Sequence, residues 1–199
     1  MSLPVRFGDS LYEAGVDEAG RGCLAGPVIA AAVILPRDYT HPDIKDSKQL
    51  TPAKRYALRD EILQNALAWN IGSASPAQID SLNILNASIL AMQEAISLLS
   101  IQPEFLVIDG NQFRHPTIPF QCVVKGDSKL LSIAAASILA KTFRDDLMVH
   151  LDKTFPDYNW QQNKGYPTEY HRIIIKKIGI CYWHRRSFLR NQQLKLNLL

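Results

Sequence analysis

At 199 residues and 22.4 kDa, with 47% hydrophobic residues, the chain suits one well-buried core and is expected to form a single domain over 1–199. No run approaches the ~18 apolar residues of a membrane span, residues 1–9 carry no apolar leader core, and three scattered cysteines (Cys23, Cys122, Cys181) exclude a disulfide framework; a soluble, reduced, cytoplasmic protein with no membrane partner is expected. The net charge of +3 is uneven: from residue 164 onward eight basic residues face one acid, Glu169, which is +7, so everything before it is net acidic, a balance suited to a protein that attracts a polyanion and also holds metal.

In chain order, the first elements are two strands of a hairpin, over 11–16 and 28–35, with Gly15-Val16-Asp17-Glu18-Ala19-Gly20-Arg21-Gly22 at their junction. Two adjacent carboxylates lead into an arginine between two glycines, where backbone without Cβ atoms can approach a ligand closely. That pairing asks for a cation and an anion together: a divalent metal on Asp17 and Glu18, and a phosphate against the Gly20-Arg21-Gly22 amides. Gly20, Gly22 and Ala25 also fit the dinucleotide pattern G-x-G-x-x-G/A, but that pattern should open a helix, and here it opens onto a proline-bounded, β-branched run. An acidic hairpin turn eased by glycines is the plainer alternative.

Asp46-Ser47-Lys48 follows in a polar connection, and Thr51-Pro52 opens a helix through about Asn70, packed through Tyr56, Ala57, Leu63, Ala66 and Leu67. Ser75-Pro76 signals a second helix start, and 84–99 reads as an amphipathic helix with Ile89, Met92, Ile96 and Leu99 on one stripe. Phe105-Leu106-Val107-Ile108-Asp109-Gly110 reads as a buried, parallel strand with Asp109 emerging at the carboxyl edge of the sheet, where ligands of open α/β sheets gather. A strand over 120–124 runs into Gly126-Asp127-Ser128-Lys129, and an alanine-rich helix follows from 132 towards 155. Its small face lets it lie close to the sheet and bring Asp127 to the other acids, although Asp127 or Ser128 would also serve as a cap. Asp145 and Asp146 are expected to face solvent. The last motif is Lys164-Gly165-Tyr166-Pro167-Thr168, with His171 and then His184-Arg185-Arg186-Ser187-Phe188 beyond it.

Gly-Val-Asp-Glu-Ala-Gly-Arg-Gly, the Asp109 strand, Gly-Asp-Ser-Lys, Lys-Gly-Tyr-Pro-Thr and the final His-Arg-Arg-Ser-Phe, in this order, resemble the type 2 ribonucleases H, specifically bacterial ribonuclease HII. The resemblance runs from Val16 to about Phe188. It implies a mixed five-stranded sheet flanked by helices, as in the ribonuclease H-like fold, with a catalytic core over about 11–160 and a basic C-terminal helical segment over about 164–199. It also implies Asp17, Glu18, Asp109 and Asp127 as catalytic and metal-holding residues. Gly20, Arg21 and Gly22 are then expected against a ribose 2′-hydroxyl or its phosphate, Lys48 near the substrate backbone, and Tyr166 against the sugar at a ribonucleotide-to-deoxyribonucleotide junction. The family usually has a histidine before Lys-Gly-Tyr-Pro-Thr; this chain has Asn163, which leaves a contact there open.

Four carboxylates without histidine or cysteine make a hard, all-oxygen site that prefers Mg²⁺ or Mn²⁺ over Zn²⁺. Two such ions roughly 3.5–4 Å apart can activate a water and stabilise a departing 3′-oxygen. The expected activity is hydrolysis of RNA in RNA/DNA hybrids and nicking of DNA on the 5′ side of a lone embedded ribonucleotide, leaving 5′-phosphate and 3′-hydroxyl ends. Rivals are another metal nuclease of the same fold, such as a junction resolvase, and a non-catalytic hybrid-binding module. Ribonuclease HIII carries an extra N-terminal domain, for which Asp17 lies too near the start. A monomer is expected, with a sliding-clamp contact through residues 192–199 left open.

Overall fold

A computed structural model of the chain describes residues 3–44 and 47–189; the side chain of Lys48 also lies outside the described residues. Five strands form one mixed sheet: β1 (Glu13–Ala19), β2 (Val28–Ile34), β3 (Ala68–Ala74), β4 (Phe105–Asp109) and β5 (Phe120–Val123), in the spatial order β3-β2-β1-β4-β5. β1, β2 and β3 pair antiparallel, and β4 joins β1 and β5 in parallel, as the buried Leu-Val-Ile run of β4 demands. β2 shows no polar alternation because both its faces are covered. Its even residues, Ala30, Ala32 and Ile34, pack beneath α3 (Ile84–Ser97) with Ala87, Ala91, Met92 and Ile96. Its odd residues, Ala31 and Val33, pack beneath α4 (Leu131–Asp152) with Ala134, Ala135 and Ile138.

Small residues let the helices touch backbone. A Cβ on Gly15 of β1 would stand 2.2 Å from the Ser132 carbonyl carbon of α4. The alanine-rich start of α4 therefore presses directly on the strand that carries Asp17 and Glu18, as the small face in the sequence leads one to expect.

Several boundaries differ from expectation. The hairpin exists, but Asp17 and Glu18 lie within β1 itself, and the junction is 20–27. α1 (Pro52–Asn65), capped by Thr51, ends before Asn70, because the chain turns at Ala66 and enters β3 as an edge strand. Its buried face is Arg55, Leu58 and Ile62, while Ala57 and Leu67 are exposed. Ser75 caps α2 (Pro76–Leu82) with a full capping box. After α4 come α5 (Trp160–Asn163) and α6 (Glu169–Ile178), followed by a 3₁₀ turn over Arg186–Leu189. The expected C-terminal helical segment is thus helical in two pieces as far as residue 189, and residues 192–199 lie outside the described residues. Among the described residues no helix is long and apolar enough to cross a membrane.

Candidate active site at the carboxyl edge of the sheet

β1 and β4 run parallel with Val16 beside Ile108, so the next residue on each strand, Asp17 and Asp109, reaches the same edge. A cavity of about 290 Å³ opens there, lined by Asp17, Glu18, Asp109, the Gly20-Arg21-Gly22 turn, Lys141 and Tyr166, with Ser47 and Ser137 at its wall. A larger groove of about 530 Å³ lies between α3 and residues 115–116, but its one acid, Glu94, already accepts from the Ser73 amide, so it offers no acidic cluster.

The period of two along β1 turns Asp17 towards α4 and Glu18 towards α3. Asp17 accepts from the Glu18 amide at 2.7 Å, and the Ser137 hydroxyl of α4, hydrogen-bonded to Ser47 at 2.9 Å, lies close enough to draw the Asp17 carboxyl down against its burial. Glu18 holds Arg21 Nη1 at 3.0 Å through Oε1, while its Oε2 is buried with no hydrogen-bond partner among the described residues. Asp109 accepts from the Gly126 amide at 2.7 Å. Each acid therefore has at least one oxygen fixed by the protein. Among the described residues no three such side chains converge tightly enough to grip an ion as they stand, because like charges on two sheet faces are held around a cavity rather than against one another. Burial first, then the Glu18 and Asp109 charges, hold the Asp17 carboxyl well above the usual carboxylate range, and burial likewise raises Glu18 against the opposing pull of Arg21.

Asp127 is buried in the 3₁₀ turn (Gly126–Ser128) directly after the glycine that bonds Asp109. It does not itself line the cavity. The backbone at Lys48 lies in the 3₁₀ turn over Ser47–Gln49, and its side chain is outside the described residues.

Tyr166 stands across the cavity from the acids. Its amide donates to the Asn163 carbonyl at 2.8 Å, and its hydroxyl lies near the buried Cys23 thiol. Asn163 is buried and shapes this loop, donating to the Tyr158 carbonyl at 2.7 Å and accepting from the Gly165 amide at 2.8 Å. Beneath the loop, His171 Nδ1 donates to the Tyr166 carbonyl at 2.9 Å, leaving Nε2 to accept from Trp160 Nε1 at 3.2 Å and from His184 Nε2 at 3.2 Å. His184 Nδ1 accepts from the Cys181 amide at 3.1 Å, so both rings are neutral with defined tautomers. Burial, and secondarily His171, pushes His184 down to about 3.

Sequence reasoning missed Ser47, Ser137 and Lys141 at the cavity wall. The spacing of Lys141 and Asp145, four apart on α4, was the available signal. Asp145 is buried rather than solvent-facing, because it carries the Lys141 ammonium at 2.5 Å and lies 4.0 Å from the Arg55 guanidinium; Asp146 is exposed as expected. Buried Arg144 and Arg185 had no signal.

A mixed sheet in the order β3-β2-β1-β4-β5, flanked by helices, with carboxylates and a glycine-arginine turn at its edge, has the architecture of the ribonuclease H-like fold. Comparison with known proteins narrows this. The family model "Ribonuclease HII" matches residues 14–191. Ribonuclease HII of Bacteroides thetaiotaomicron is 57% identical over 99% of this chain and 100% of its own length. The ribonuclease HII of Archaeoglobus fulgidus, solved as a PCNA:RNase HII complex, is 25% identical with a TM-score of 0.73 over 95% of this chain and 98% of that one. A Bst-RNase HIII solved in complex with Mn²⁺ is 22% identical, with a TM-score of 0.58 over 74% of this chain and 56% of that one. The chain belongs to the ribonuclease HII family, and is a type 2 ribonuclease H endonuclease.

Proposed function

We propose that the chain hydrolyses the RNA strand of RNA/DNA hybrids and nicks DNA on the 5′ side of single embedded ribonucleotides, with Asp17, Glu18, Asp109 and Asp127 holding Mg²⁺ or Mn²⁺. The observation that carries this is the buried, mutually repelling set at the sheet edge, with Asp17 raised by burial and its neighbours' charges and Glu18 Oε2 left without a partner. Carboxylates held this way fit hard cations, and among the described residues the cavity wall offers no soft ligand.

When bound, two such ions supply Lewis-acid stabilisation of the phosphodiester and a water of lowered pKa. The protein's own groups do the rest. The Glu18 amide and Ser137 hydroxyl orient Asp17, and the Gly126 amide orients Asp109. Arg21, half-exposed and anchored on Glu18, offers its free donors to a backbone phosphate, and Lys141 adds a second cation at the cavity wall. Gly20 and Gly22 present backbone to a 2′-hydroxyl, and the half-exposed Tyr166 ring meets the next sugar. Lys48 completes the backbone contacts.

The whole chain acts as one domain, a core over about 11–160 followed by the basic segment over 164–199, working as a cytoplasmic monomer. A sliding clamp engages it through residues 192–199, a reading supported by the clamp complex of the archaeal relative.

The test is cleavage of a labelled DNA duplex bearing one ribonucleotide beside an all-DNA control, with Mg²⁺, Mn²⁺ or chelator. A metal-dependent nick on the 5′ side of the ribonucleotide alone is expected. Equal cutting of both duplexes would discard the sugar-reading roles, and no cutting of either would discard the enzyme reading.

A further inference from the structure

Resting on that reading, we infer that Arg144 is a positioning residue that sets the separation between the two elements that read neighbouring sugars, the Gly20-Arg21-Gly22 turn and Tyr166. Arg144 is completely buried on α4, with no carboxylate in ion-pair contact among the described residues. All three of its nitrogens donate to carbonyls: Nε to Pro27 at 3.0 Å, Nη2 to Ala25 at 3.0 Å and Nη1 to Lys164 at 2.8 Å. The same guanidinium forms the floor under Gly20, where an added Cβ would meet Nε at 2.0 Å, and it lies 5.8 Å from the centre of the Tyr166 ring.

One planar cation thus touches the sugar-reading turn, the strand that leaves it, and the chain two residues before the tyrosine. Gly20 and Tyr166 belong to segments far apart in sequence, and their loops are joined edge to edge by the Gly165 carbonyl, which accepts from the Leu24 amide at 2.8 Å and the Ala25 amide at 3.4 Å. A hydrocarbon would fill the same space without the desolvation that a buried cation suffers when only carbonyl dipoles face it. What the hydrocarbon lacks is a rigid fork of donors that holds three carbonyls at fixed separations. Arg185 makes the useful contrast, because it is equally buried and bonds the Arg21 carbonyl at 2.8 Å and the Gly26 carbonyl at 3.0 Å, but it holds only the turn.

The consequence is selective. In a uniform RNA/DNA hybrid every nucleotide of the cleaved RNA strand carries a 2′-hydroxyl, so a loosened separation still finds a ribose in some register. At a lone ribonucleotide there is one register, and both elements must meet their sugars at once.

The experiment is a double-mutant cycle of Arg144→Lys with Tyr166→Ala, reading kcat and KM on a single-ribonucleotide duplex and on a uniform hybrid, with thermal unfolding to show that each variant is folded. Arg144→Lys is expected to lower single-ribonucleotide nicking about 10- to 100-fold relative to hybrid cleavage, chiefly in kcat, as a displacement of about 1 Å would. In the Tyr166→Ala background it should change that ratio no further. Equal losses on both substrates, or losses that multiply in the double variant, would overturn the inference and leave Arg144 a structural residue. If Tyr166→Ala alone leaves the ratio unchanged, the sugar-reading role of Tyr166 fails and the inference falls with it. Should Arg144→Lys not fold, Arg144→Gln, which removes the buried charge and keeps two N–H donors, carries the same comparison.

Discussion

The two walls of the cavity are built on opposite electrostatic plans. On the sheet edge, Asp17, Glu18 and Asp109 are like charges set around one cavity, Glu18 Oε2 is buried without a hydrogen-bond partner among the described residues, and burial raises the Asp17 and Glu18 carboxyls. Beneath Tyr166, the ring nitrogens of His171 and His184 and the indole nitrogen of Trp160 are hydrogen-bonded, and burial lowers both histidines. One wall carries acids whose charged forms are opposed by burial, and the other has its buried nitrogens paired; on the proposed reading, the metal chemistry belongs to the first and the Tyr166 contact to the second.

Titration separates them further. A carboxyl held above its unfolded value of 3.8 favours the folded state on the acid side, and that contribution is lost as pH rises through the raised value. A histidine held below its unfolded 6.5 contributes stability that is present above 6.5 and lost as pH falls towards about 3. Without divalent cations, the acid wall should therefore weaken upwards from about pH 4 and the histidine wall downwards from about pH 6.5.

The largest test removes a charge from the acid wall. Asp17→Asn or Asp109→Asn should lower cleavage by about 10³-fold or more while hybrid binding persists. In chelator Asp17→Asn should melt higher than the native chain, by about 1 kcal/mol, because repulsion at the edge is relieved. Mg²⁺ or Mn²⁺ at a hundred times its Kd should stabilise the native chain by about 2.7 kcal/mol and the variant by much less, read as Tm against metal concentration.

Both walls rest on α4, so moving that helix should disturb them together. Gly15→Ala drives a methyl into the Ser132 backbone and is expected to cost about 3 kcal/mol in urea unfolding, with activity on every substrate falling in parallel. A selective loss would show that the walls are less coupled than their shared helix implies.

The histidine wall is isolated by His184→Gln. Between pH 7 and pH 5 the native chain should lose about 2 kcal/mol through this residue alone. The variant, less stable at pH 7 for want of the bond to the Cys181 amide, should show a Tm that is flatter with pH over that interval by the same amount.

The smallest effect probes one orienting bond on the acid wall. Ser137→Ala should lower kcat about tenfold with little change in KM, and cost about 1 kcal/mol of stability. An unchanged kcat would mean that the Ser47–Ser137–Asp17 chain only fills space.

The parallel strand ending at Asp109, the helix caps at Thr51 and Ser75, the Ile89, Met92 and Ile96 stripe, and the small face of α4 were all legible in the residues, because each rests on local periodicity or on a side chain bonding its own backbone. β3 was not legible. Ala68–Ala74 has no strict alternation, and the apolar spacing of α1 ran smoothly into it; the pairing with β2 made it a strand. Asp145 was misread for a related reason, since a charged residue on a helix reads as solvated until another segment supplies its partners, here Arg55 as well as Lys141.

The sequence by itself determined the family, the order of the elements and the acids at the ends of β1 and β4, since motif order and strand periodicity are one-dimensional properties. Tertiary structure alone decided that Asp17 and Glu18 leave opposite faces of the sheet edge, that the bonded pair Ser47–Ser137 lies beside Asp17, and that Arg144 lies under both the Gly20 turn and the Tyr166 loop. Those contacts join residues up to 119 positions apart, and no local pattern in a chain records which distant carbonyl a buried donor will find.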